Sequence, residues 1–72
     1  MLMLTAEQIR AIRMAIGETI TDFAHRLRVS ANTVARWEAG DRHPRWAKME
    51  LLNDLWDKHK PDMGNGKGRK TG

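Results

Sequence analysis

Asn32 and Arg36 stand four residues apart in a segment with helical patterning, so their side chains project from one helix face. A primary amide and a guanidinium can each pair bidentately with a base edge: Asn with adenine N6 and N7, Arg with guanine O6 and N7. Ala31 and Ala35 lie beside them on the outward positions, and the Ala31 methyl can pack on a thymine methyl. The surroundings carry a marked excess of positive charge. Residues 25 to 48 hold Arg26, Arg28, Arg36, Arg42, Arg45 and Lys48, with His25 and His43, against Glu38 and Asp41 alone. Such a cluster is the electrostatic footprint of a face that meets a polyanion, or else a solvated basic surface.

The elements that position these groups are short and capped. Thr5 with Gln8 forms a capping-box start, Ile9, Ile12 and Ile16 recur at helical spacing, and Gly17 suits the residue past a helix end. This predicts a first helix over Ala6 to Ile16. Thr19 with Asp22 opens a second, whose apolar face is Ile20, Phe23, Ala24 and Leu27. Ser30 caps a third, with Val34 and Trp37 inward and Gly40 at its end. That helix is about two turns long and can persist only by packing on its neighbours. After the turn ending in Pro44, a fourth helix begins near Arg45, with Met49, Leu52, Leu55 and Trp56 inward and Glu50, Asp54, Asp57 and Lys58 toward solvent. The expected fold class is all-α, with four helices, or five short ones, over residues 1–60. Residues 61–72 are Gly-rich, basic and nearly without apolar groups, which predicts a flexible basic tail. Two helices joined by a three-residue turn, the second with an amide and an arginine outward, read as a helix-turn-helix that binds DNA.

The residues Thr19-x-x-Asp22-Phe23-Ala24-x-x-Leu27-x-Val29-Ser30-x-x-Thr33-Val34-x-x-Trp37-Glu38-x-Gly40, followed by Asp41-Arg42-His43-Pro44, resemble the lambda-repressor/Cro-like, or XRE-type, helix-turn-helix regulators of bacteria and phages. The match runs without a gap over 26 residues. The resemblance implies that Ala24 lies where the two helices cross and that Val29, Val34 and Trp37 lock the recognition helix onto the core. It implies a buried ion pair between Arg13 and Glu38, and base reading from the outward positions Ala31, Asn32, Ala35 and Arg36. It also places Arg42, His43 and Arg45 on the sugar-phosphate backbone, where contacts orient the protein without reading sequence. Ser30 and Thr33 carry two readings, helix cap and phosphate contact. The chain departs from the family pattern twice. Arg28 takes the turn position usually held by glycine, so it adopts the left-handed region, its guanidinium free to find a phosphate, or the turn is built differently. Ile20 replaces a glutamine that meets the DNA backbone, which removes one phosphate contact.

Length and composition set limits. A chain of 72 residues holds one domain, and a domain near 60 residues buries only about 60% of its unfolded surface. It has no cysteine, and His25, His43 and His59 have no metal-ligand spacing, so no metal and no cofactor is expected. No serine, histidine and carboxylate group is arranged for nucleophilic work, and no enzyme activity is expected. The net charge is +4. No apolar run approaches the roughly 18 residues that span a bilayer, so the expected place is the cytoplasm, on the nucleoid. The expected partner is double-stranded operator DNA, bound by a homodimer, because one module touches too few base pairs for high specificity. Helix four, with Trp46 and Trp56, and the leader Met1 to Leu4 are the candidate dimer surface. A different reading makes the chain an interaction module, such as an antitoxin that neutralises a protein partner and regulates its own operon.

Overall fold

The structure, a computed structural model, describes residues 3–61. Four helices follow one another: α1 (Ala6–Ile16), α2 (Ile20–Leu27), α3 (Ala31–Ala39) and α4 (Trp46–His59). The described residues contain no strand, and the all-α expectation holds with four helices. The tail expectation lies, beyond Pro61, outside the described residues.

Local chemistry sets the helix starts. The Thr5 hydroxyl accepts the Gln8 N–H at 3.1 Å while the Gln8 side chain accepts the Thr5 N–H at 2.8 Å, a complete capping box. Thr19 accepts the Asp22 N–H, and Ser30 accepts the Thr33 N–H, both at 3.1 Å. Each bond satisfies one of the orphan donors of a first turn and contributes about 1 kcal/mol. α4 differs, since its cap residue Arg45 makes no side-chain bond to the helix.

The helix ends share one device. Gly17 and Gly40 take φ of 84° and 83°, and Arg28 takes φ 60° and ψ 45°. At Arg28 the backbone N–H reaches the His25 carbonyl at 3.2 Å, and the next N–H, of Val29, reaches the Ala24 carbonyl at 3.0 Å. This is the paired closure of a Schellman turn, and it satisfies two carbonyls that α2 would otherwise leave open. The turn therefore keeps the geometry that glycine favours, and arginine adopts it at a cost of about 1–2 kcal/mol.

Ile9 and Ile12 of α1, Phe23, Ala24 and Leu27 of α2, Val34 and Trp37 of α3, and Met49 and Leu52 of α4 form one core. Ile16, Ile20, Val29, Leu55 and Trp56 pack around it half-buried. Leu4 also belongs to the core at 2% exposure, with its N–H 3.5 Å from the Met49 sulfur. The leader residue expected on an association surface is thus inside the domain, joining the start of the chain to α4. Trp46, by contrast, is 71% exposed.

Candidate nucleic-acid interface

α3 is held from behind by two kinds of contact. Val34 is fully buried and Trp37 is 4% exposed, and helix α3 packs mainly on α2 and α1. At its C-terminal end Glu38 accepts two bonds from the Arg13 guanidinium of α1, from Nε at 2.8 Å and from Nη2 at 3.0 Å. Both side chains are largely shielded, 13% and 9% exposed. A fork-to-fork pair fixes orientation as well as distance. The Glu38 hydrogen bond holds the Arg13 guanidinium above its ordinary pKa, against the opposing effect of burial. The third arm of Arg13 donates to the Glu18 carbonyl at 3.0 Å, and the Glu18 carboxylate receives a second fork from Arg26 of α2, at 2.9 and 2.8 Å. Arg26 holds the Glu18 carboxyl below its usual range. The tilt of α3 is therefore tied through Arg13 and Glu18 to both preceding helices. The Glu18–Arg26 bond joins the α1–α2 turn to the last turn of α2, eight residues on, and leaves no periodic signal in the sequence.

With its inner side fixed, α3 turns Asn32, Ala35 and Arg36 to solvent, all exposed. Ala31, read from sequence as outward, is half-buried against the core. The Ser30 hydroxyl both caps the helix and lies 2.8 Å from the Thr33 hydroxyl, so the two hydroxyls already engage each other. Arg28, Arg42, His43 and Arg45 are exposed around this face.

An open depression of about 490 Å³ lies between α3 and the start of α4. Val29 and Trp37 line its apolar part, and Asn32, Thr33, Arg36, Arg42, His43 and Arg45 line the rest together with Lys48. No carboxylate is among the lining residues. Lys48 belongs to the site although the sequence singles it out only as part of the basic cluster; its position one turn after Arg45 on α4 is the signal that places it there. The two ion pairs among the described residues engage Arg13 and Arg26, leaving Arg28, Arg36, Arg42, Arg45 and Lys48 without a carboxylate partner. α4 adds to this field, because its first turn carries no acidic residue and the N-terminal end of a helix bears partial positive charge. Ile20, at the position where the glutamine was absent, packs half-buried against the core.

The arrangement sets unpaired cations along a strip, with one amide and one guanidinium among the groups that line it. Among the described residues no group of His, Cys, Asp and Glu could hold a metal ion, and no helix is long and apolar enough to cross a membrane. No curated protein and no solved structure matches the chain. The model of the helix-turn-helix domain family matches residues 5–56, a span that takes in α1, α2, α3 and most of α4, and the chain belongs to that family.

Proposed function

We propose that this protein is a sequence-specific regulator of transcription of the XRE type, which lays α3 in the major groove of an operator and represses by occluding a promoter. In the proposed mechanism Asn32 reads adenine and Arg36 reads guanine through bidentate hydrogen bonds. Ala35 lies against the neighbouring base edge, and Ala31 limits how closely the helix start approaches. Arg28, Arg42, His43, Arg45 and Lys48 contact phosphates on either side and fix the register, with the one hydroxyl proton that the Ser30–Thr33 bond leaves free adding a donor where the groove edge meets the helix start. The observation that supports the reading is the presence of an exposed amide and an exposed guanidinium in a depression lined by cations and free of carboxylates.

One α3 contacts only a few base pairs. Two copies on half-sites about one helical turn apart multiply the discrimination, and the operator is then an inverted repeat. The test is selection of bound duplexes from a random library at near-physiological salt, run in parallel with Asn32→Ala/Arg36→Ala. An inverted repeat enriched by the wild type and lost by the double variant supports the reading. Salt-sensitive binding with no enriched sequence reduces the face to an electrostatic anchor and defeats it.

A further inference from the structure

α4 carries a second surface of opposite character. Trp46 and Leu51 are 71% and 43% exposed, two of the four exposed large apolar side chains among the described residues. Between and beside them run Glu50, Asp54 and Asp57, and with Ala47 and Asn53 these line a shallow groove of about 490 Å³. None of the three carboxylates takes part in an ion pair among the described residues. On a helix that advances 100° per residue, Trp46, Glu50, Asp54 and Asp57 share the side turned away from the buried Met49 and Leu52. This groove shares no lining residue with the basic depression.

We propose that the outer face of α4 docks a basic amphipathic helix of another protein, whose apolar residues cover Trp46 and Leu51 and whose Lys and Arg side chains meet Glu50, Asp54 and Asp57. The proposal goes beyond DNA reading and does not depend on it. The chemistry selects this occupant over the alternatives. DNA and anionic lipid headgroups bear the same sign of charge as the groove and are repelled. In a two-fold pairing the same patch faces itself, which brings six carboxylates together with no cation among the lining residues. A cationic helix satisfies both parts of the groove, since an indole binds apolar groups and cations through its face and a helix lies along a groove by its i, i+3, i+4 side chains. A partner on this face leaves the basic face available, since the two share no lining residue.

The experiment uses the full chain and a displayed library of 14-residue helical peptides with randomised outward positions, followed by titration of the selected peptides. Winners enriched in Lys and Arg that lose at least tenfold in affinity against both Trp46→Ala/Leu51→Ala and Glu50→Lys/Asp54→Lys are the expected result. These positions are exposed, so the variants should melt with the wild type, and Trp46→Ala/Leu51→Ala, which leaves the charge unchanged, should bind duplex DNA as it does, which separates this test from the DNA reading. Winners indifferent to both variants, winners without excess positive charge, or no winners overturn the proposal. Sedimentation that shows self-association abolished by Trp46→Ala also overturns it and assigns the face to a second copy.

Discussion

α3 and α4 are neighbouring helices of one small domain, and they differ in how their two sides are used. α3 is nine residues long, capped by Ser30, closed by Gly40 and pinned by Glu38, so its inner side is over-determined and its outer side presents an amide and a guanidinium in fixed places. α4 is fourteen residues long, starts without a side-chain cap and joins the core through Met49 and Leu52, while its outer side mixes an exposed indole with three acids. The helix proposed to read bases is the one whose backbone is tied at both ends. The helix with looser demands carries groups suited to adaptable contact.

The largest expected effect separates buried from exposed aromatic residues on the two helices. Trp37→Ala removes the main anchor of α3 and should cost about 3–5 kcal/mol, whereas Trp46→Ala on α4 should change stability by less than about 0.5 kcal/mol; urea unfolding of both measures the contrast. Equal losses would mean that α4 is held by its outer side as well.

Glu38→Ala leaves the shielded Arg13 guanidinium without its partner and should cost about 3 kcal/mol. For a domain of this size that lowers the melting midpoint by more than about 10 °C, readable by circular dichroism. A midpoint within a few degrees of the wild type would show that α3 needs no ion pair to keep its pose.

Asn32→Ala and Arg36→Ala should leave the melt unchanged and each weaken binding to the selected operator by about 1–3 kcal/mol, with relaxed preference at a single base pair. Comparable changes on the outer side of α4, such as Asp54→Ala, should leave operator affinity unchanged in the same titration.

Arg28→Gly relieves the left-handed strain but loosens the unfolded chain, and a net gain of roughly 0.5 kcal/mol is expected in urea. If operator binding falls at the same time, the guanidinium contributes a phosphate contact that offsets the strain.

The smallest effect is a pH dependence. Because Arg26 lowers the Glu18 carboxyl, its contribution is present in full above the ordinary carboxylate range near about 4.3 and is lost as pH falls through the lowered folded value. The pair is solvent-facing, with Arg26 44% exposed, so Glu18→Gln should cost at most about 0.5 kcal/mol at pH 7 and nothing near pH 2. A cost that persists in acid would mean that the Glu18 side chain contributes through contacts that do not need its charge.

What sequence reading captured was what is local. Thr5, Thr19 and Ser30 act within three residues of themselves, and Gly17 and Gly40 end helices through their own φ, so the four elements were legible. Arg28 was legible as a departure, and the resolution of its two readings came from the backbone bonds of Val29 and Arg28. The basic cluster was visible, but not its partition: that Arg26 is consumed by Glu18 while Lys48 joins the depression follows from how α1, α2 and α4 meet. Leu4 escaped because its reason for burial is Met49, 45 residues away. The outer side of α4 read as ordinary solvated polarity because each acid is unremarkable alone, and only the exposure of Trp46 beside them gives the face a character.

The Arg13–Glu38 bond has a consequence in time as well as in equilibrium. It closes a loop of 25 residues, and the entropy of that closure is offset only once α1 and α3 have both settled on the core. A contact completed that late strengthens the native state more than the folding barrier, so it acts on the rate of escape. The lifetime of a correctly tilted α3, rather than the speed with which the chain first folds, is the quantity that this arginine and glutamate govern.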